Sequence, residues 1–206
     1  MNQNEFDALA IFFENHLNSV FGNSNHPKEV RNLAKEIFLQ LRTWYQLEIE
    51  EYYFLELAAL LHDVGTLFGE SKHHKNSFEY IMNLNFSCKK EDKLIIANIA
   101  RYHRKAVPHS KHRYFKILSP NQKYLVLKLS AILRIADALD RSHTQNISKL
   151  ILKMDNENIY FEITPRNKQD INNFCSPDFQ IEKLGFDKKK NLFEQIFKKN
   201  ALIIIN

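Results

Sequence analysis

The stretch AALLHDVGTLFGESKHHKNSF, residues 58–78, decides how this chain is read. An apolar run leads into His62-Asp63, Gly65 follows, and then comes the pair His73-His74. Upstream, Leu55, Leu57, Ala58, Ala59, Leu60 and Leu61 make the segment from about 51 to 64 apolar nearly all round. That pattern predicts a central, buried helix. Imidazole and carboxylate at its end suit a divalent metal: Mn, Fe, Ni, Co or Zn, with Mg reachable through oxygen. Neighbouring residues on a helix point about 100° apart, so His62 and Asp63 share an ion only if other elements supply further ligands.

Working outward, the chain has 206 residues, enough for one domain plus a small appendage. Its 44% hydrophobic and 12% aromatic content is ample for a packed core. Only Gly22, Gly65, Gly69 and Gly185 are glycines, which argues against dinucleotide-binding and P-loop folds with their clustered glycines. Helical stripes run over residues 5–20, ended by Gly22, and over a segment opening at Ser24-Asn25 as capping candidates with Pro27 in its first turn. Further helices are expected at about 75–85, 90–104 and 120–141.

Beyond them the character changes. KLILKMDNENIYFEITP reads as a hairpin turning at Asp155-Asn156-Glu157-Asn158. A helical pattern with Phe179, Ile181, Leu184, Leu192, Phe193 and Ile196 follows, and ALIII reads as a last strand. The expected fold is mainly α: a helical bundle over 1–145, then a small α/β subdomain (hairpin, helix, strand) over 146–206. No secretion signal opens the sequence and no apolar run reaches the roughly 20 residues of a membrane span. Cys88 and Cys175 lack CxxC spacing and read as reduced thiols, so a cytoplasmic location is expected. The net charge of +5 is compatible with anionic ligands and gives no strong indication of nucleic acid.

Three further elements offer metal ligands: His26 at a helix start, His103 in NIARYHR, and Asp137 in ILRIADALDRS. Asp137 lies beside an inward face of Leu129, Ile132, Leu133, Ala136 and Leu139. A carboxylate there needs a metal, a cation or several donors. The competing reading pairs it with Arg134 or Arg141, one turn away. The remaining histidines carry less: His16 reads as a helix-surface residue, and His109, His112 and His143 sit in or near polar loops. His109 and His112 are candidates for a lid, while Tyr102, Trp44, Tyr45, Tyr52 and Tyr53 read as packing aromatics.

The order His26, His62-Asp63, Asp137 resembles that of the HD-domain metal-dependent phosphohydrolases. LLHDVGTLFGESKHHKNSFEYI, IARYHRKAVP and LRIADALDRS are more narrowly similar to the C-terminal region of the exopolyphosphatase/guanosine pentaphosphate phosphatase (Ppx/GppA) family. The hairpin and NLFEQIFKKNALIII extend that similarity over most of the chain. The resemblance implies one or two divalent ions on His26, His62, Asp63, His73, His103 and Asp137. Asp63 would bridge them and a metal-activated water would be the nucleophile. His73 is favoured over His74 as ligand, leaving His74 as a substrate contact with Lys72, Arg104 and Arg141.

The substrate class it implies is a phosphorylated small molecule, a nucleotide or polyphosphate. Two departures stand out. The family's long enzymes hydrolyse polyphosphate with a glycine-rich actin-like domain that this sequence does not contain. Many HD phosphodiesterases also have Lys where this chain has Thr66, and relatives often have His where it has Asn76. A phosphate-binding cation is therefore expected elsewhere, among Lys72, Lys75, Arg101, Arg104, Lys105 and Arg141. The alternative expectation is a non-catalytic module that binds a polyanion or signalling nucleotide. The C-terminal segment is a candidate homodimer surface.

Overall fold

The computed structural model describes residues 3–21, 25–104, 106–166 and 177–206. Gly22, Ser24, Lys105 and Cys175 lie outside the described residues. Helices dominate: α1 (Gln3–Phe21), α2 (His26–Tyr45), α3 (Ile49–Leu61), α4 (His73–Asn83), α5 (Lys90–Arg101), the single turn α6 (Arg113–Lys116) and α7 (Pro120–Leu139). A 3₁₀ turn, Val64–Phe68, follows α3. The C-terminal part holds β1 (Ile147–Met154), β2 (Asn158–Pro165), α8 (Pro177–Lys189), α9 (Asn191–Phe197) and β3 (Asn200–Ile205). No described helix is long and apolar enough to cross a membrane.

The all-round apolar character of α3 is explained by its position: it packs against α1, α2, α5 and α7 at once. Leu55, Leu57, Ala58, Ala59, Leu60 and Leu61 are all buried. Each fully buried Leu contributes about 1.5–3 kcal/mol. The helix stops at Leu61 rather than at 64. There the His62 ring Nδ1–H donates to the Ala59 carbonyl at 2.7 Å, the acceptor that the Asp63 amide would take if the helix continued. At the start of α2, Pro27 sits in the first turn as expected, but Asn25 makes no side-chain cap hydrogen bond.

Gly65 is required by close packing. A Cβ built on it would lie 2.1 Å from the His73 carbonyl oxygen and 2.4 Å from the Ser77 amide nitrogen, so α4 rests directly on its backbone. Ser77 seals the same contact, its hydroxyl donating to the His62 carbonyl (2.6 Å) and accepting from the Gly65 amide (2.9 Å).

The sheet order is β1-β2-β3, with β1–β2 antiparallel and β2–β3 parallel. Its inner face (Leu150, Leu152, Ile159, Phe161, Ile163, Ala201) belongs to the same hydrophobic cluster as the helices. Polar ties fasten the two segments. Gln40 of α2 bonds the outer edge of β1 at Leu150 O (3.2 Å) and Leu152 N (2.7 Å), and Tyr45 donates to Phe197 O (2.9 Å). Buried Arg134 of α7 donates to Lys189 O (3.2 Å), Tyr102 O (3.3 Å) and Asn191 Oδ1 (3.2 Å).

Helix α8 buries only part of the apolar set expected to face inward. Ile181 and Leu184 are exposed, while Phe179, Glu182, Phe186 and Lys189 are buried. Both buried charges have dedicated partners: Glu182 accepts from the Ser142 amide at 2.7 Å, and Lys189 reaches Asp137.

Gly65→Ala should destabilise the protein by at least about 3 kcal/mol, the upper range for overpacking, because the clash is with backbone that cannot rotate away. Urea unfolding measures this, and a change within about 0.5 kcal/mol, ordinary for a surface site, would contradict the packing.

Candidate metal centre

Three of the expected ligand histidines, His62, His73 and His103, are fixed by local backbone before they face anything else. His62 follows α3, His103 follows α5, and His73 is the first residue of α4. Their Nδ1 atoms bond the carbonyls three residues upstream: Ala59 (2.7 Å), Ala100 (2.7 Å) and Glu70 (3.1 Å). A carbonyl only accepts, so each Nδ1 carries the proton and each neutral ring presents Nε2 as a bare lone pair. His26, at the start of α2, is oriented by a carboxylate instead, with Nδ1 2.7 Å from Asp140 Oδ2. Carbonyls and carboxylates behind a ring are the partners that metal-binding imidazoles use.

These Nε2 atoms surround Asp63, and its two oxygens divide them. Oδ1 lies 3.2 Å from His73 Nε2 and 3.3 Å from His103 Nε2, and the two nitrogens are 3.2 Å apart. Oδ2 lies 3.5 Å from His62 Nε2 and 3.8 Å from His26 Nε2. Across from His26, Asp137 Oδ1 is 3.7 Å from Nε2. Among the described residues three groups form, Asp63–His73–His103, His26–His62–Asp137 and His26–Asp63–His143, each with its donor atoms within 4.8 Å of one another.

The residues present fit a metal. His26 Nε2 and His62 Nε2 are buried without a hydrogen-bond partner, an arrangement that is unfavourable until a cation takes the lone pairs. His73 and His103 turn two lone pairs towards each other, which no hydrogen bond between neutral rings can satisfy. Ligands about 2.1 Å from one ion and at right angles stand about 3 Å apart, close to the three edges of the Asp63 Oδ1 triangle. The C-termini of α3 and α5 add about half a negative charge each.

Burial and charge shape the titration of the centre. Burial would raise Asp63, but His62, His103 and His73 hold it well below the carboxylate range. Asp137 is likewise held low against its burial, chiefly by Lys189 and then by His26. Burial lowers His62 to about 4. Burial would also lower His26, yet the neighbouring Asp137 carboxylate, the hydrogen bond to Asp140 and the charge of Asp63 raise it to about 9.

A cavity of about 250 Å³ opens on this cluster, lined by His26, Asp63, Thr66, His73, Arg141 and His143 among others. Asp63, with 22% of its side chain exposed, is the reachable member. Among the described residues, Arg141 is the one expected phosphate-binding cation on the cavity wall. Lys72, His74 and Arg104 are not among its lining residues. Lys72 is exposed just ahead of α4, Arg104 is half-buried, and His74 is half-buried and lowered to about 4 by burial and then by His103 and Arg104. Thr66 donates back to Asp63 O at 2.8 Å. His16 pairs with the Tyr80 hydroxyl instead of lying free on the surface. His112 bonds the Tyr102 hydroxyl (2.9 Å) against a buried ring, so Tyr102 packs as expected.

Three participants were missed in the sequence. Asp140 orients His26, a role hinted at by its spacing of three residues from Asp137 in ADALD. His143 stacks on His26 at 3.6 Å between ring centres, and its loop position gave no signal. Lys189 bonds Asp137, a partner that neither Arg134 nor Arg141 provides.

The family model for Ppx/GppA phosphatase, domain III, matches residues 16–182, most of the chain. The protein belongs to this family. Within the matched span of this Ppx/GppA domain III protein lie the six expected ligand side chains, from His26 to Asp137, and the hairpin that follows. Lys189 lies just beyond it. No curated protein matches the chain.

Acid should destabilise the metal-free protein in a defined window. Unfolded, His62 takes a proton near pH 6.5; folded, it resists until about 4. The unfolded state thus binds more protons between these values, and stability falls with pH there, by about 3 kcal/mol at the lower end. His74 acts in the same direction. His26 acts oppositely and higher: its contribution is full below 6.5 and is lost as pH rises through about 9. Denaturant unfolding with chelator at pH 6.5 and 4.5 tests this, and equal stabilities would contradict it.

Proposed function

We propose that the chain is a metal-dependent phosphohydrolase of the HD type, acting on a phosphoester, nucleotide or polyphosphate-like substrate. The observation that carries this reading is the division of Asp63: one carboxylate faces four oriented imidazoles, two on each oxygen. His73, His103 and Asp63 would hold a divalent ion, and His26, His62 and Asp137 form the adjoining group. A divalent ion in such a donor set lowers the pKa of a water and draws charge from a phosphoryl oxygen.

The chain's own residues supply the rest. Asp63, a partly exposed carboxylate lining the cavity, is placed to hold a water. Arg141, on the wall, offers a planar guanidinium to phosphate oxygens. Asp140 and the three backbone carbonyls keep the imidazoles from rotating away, so the donors need no reorganisation when substrate arrives. On this reading residues 1–145 carry the HD-type bundle and residues 146–206 an appended α/β segment that reaches back into it through Lys189. Relation to the Ppx/GppA phosphatases favours a phosphoanhydride or phosphoester over other anionic substrates.

The test is metal content of the purified protein together with hydrolysis of p-nitrophenyl phosphate, its bis-ester, nucleotides and polyphosphate, with Mn, Co, Ni and Mg supplied in turn. Bound metal and metal-dependent turnover are expected, with Asp63→Ala lowering turnover at least about 10³-fold and releasing the metal. A protein without metal affinity and without turnover on any of these substrates would overturn the proposal. Arg141→Ala should mainly raise KM, by roughly tenfold, since one charge-assisted contact is worth about 1.5–3 kcal/mol when buried and less at a cavity mouth.

A further inference from the structure

Four of the cations expected to bind phosphate, Lys72, Lys75, Arg101 and Arg104, stand outside the cavity. They belong to a larger asymmetry of charge. Residues 93–136 hold ten lysines and arginines and no aspartate or glutamate, although the whole chain carries only +5. Two of the ten are engaged inside the fold: Lys128 pairs with Glu51, and Arg134 binds Lys189 O and Asn191. Among the described residues, the ion pairs that lysines and arginines make with carboxylates leave out Lys75, Arg101, Arg104, Lys111 and Arg113.

These five share one face at the end of α5. Arg101 lies over the Phe78 ring at 5.6 Å and the Tyr102 ring at 5.8 Å, and Arg113 lies over Tyr114 at 5.3 Å. Phe78 and Tyr114 stack at 4.5 Å, which ties both guanidiniums to one pair of rings. The Tyr102 hydroxyl holds His112 at 2.9 Å, and the exposed His109 ring is centred 6.0 Å from it, with Lys111 between the two in sequence. Burial lowers His112, and Arg101, His109 and Lys75 lower it further, so these groups crowd together. Arg104 extends the face to His74, whose buried Nδ1 has no hydrogen-bond partner.

The planes in this face decide what it fits. A guanidinium laid on a ring is held flat and keeps its other side for a second plane. A chain of bare phosphates uses only the charges. A nucleotide chain uses both: its phosphates meet the cations, and unstacked bases settle on guanidinium and imidazole faces. Bases stacked within a duplex cannot reach those planes.

We propose that Lys75, Arg101, Arg104, Lys111 and Arg113 form a binding face for single-stranded nucleic acid, beside the metal centre and outside its cavity. The inference makes no use of the metal, so binding is expected to persist in chelator.

Fluorescence anisotropy of the full chain with a labelled single strand of about 16 nucleotides, in chelator, tests this. Between about 50 and 200 mM salt, log affinity should fall against log salt with a slope of about −3.5, the value for five phosphate contacts on a single strand. The combined variant Lys75→Gln, Lys111→Gln, Arg113→Gln alters only exposed side chains, so its fold should survive. It should bind at least about tenfold more weakly, with the slope flattened by about 2. The same charge removed from exposed Lys149, Lys183 and Lys188 should change affinity by less than about threefold. Inorganic polyphosphate and a matched duplex, at equal phosphate, should compete at least about tenfold less well than the unlabelled single strand, the worth of one stacked base. No binding at the lowest salt, equal losses in the two triple variants, or equal competition by polyphosphate or duplex would overturn the inference. Each of these results would leave the metal centre standing.

Discussion

Four imidazoles whose Nδ1 atoms are already committed can present only Nε2 to their surroundings, and this constraint organises the molecule. Three of the commitments are to carbonyls three residues upstream, at helix ends or starts, so the rings are fixed by the same hydrogen bonds that define the helix boundaries. The fourth is to Asp140. Because each bond is local, the directions of the rings follow from where the helices stop. The bundle then needs only to bring those ends together around Asp63.

That convergence depends on packing of an unforgiving kind. α4 approaches the 3₁₀ turn so closely that Gly65 has no room for a Cβ, and Ser77 stitches the two backbones with one hydroxyl. Without this approach His73 would stand away from Asp63, and the Oδ1 triangle would open. On the far side, α7 carries buried Asp137 and ends at buried Asp140, and Arg134, one turn before Asp137, pins the C-terminal segment to the end of α5. The core that holds these ends is a single hydrophobic cluster running from Phe6 to Ala201.

Much of this was legible in the sequence. The apolar run into His62-Asp63 marked a central helix, and a carboxylate at position 137 beside an apolar face demanded a partner. The hairpin announced itself through Asp155, whose carboxylate accepts the Glu157 and Asn158 amides in the turn. What stayed hidden depends on long-range packing. Lys189 sits in a run of three lysines, and Ile181 and Leu184 of α8, expected to face inward, are exposed. Only docking of that helix on α7 shows that Lys189 points into the site. Asp140 was only hinted at by its spacing from Asp137 and His143 gave no signal, because their roles are fixed by the position of His26, more than a hundred residues away. Gly65 is demanded by close approach of α4, which no local sequence signal shows.

The central claim is that Asp63 Oδ1, His73 and His103 form one metal-binding corner. Anomalous diffraction from crystals soaked in Mn²⁺ or Zn²⁺ tests it directly, since it locates an ion independently of any activity. The account predicts a strong peak within bonding distance, about 2.0–2.2 Å, of Asp63, His73 and His103. A peak bound elsewhere on the chain, or none at saturating metal, would contradict it.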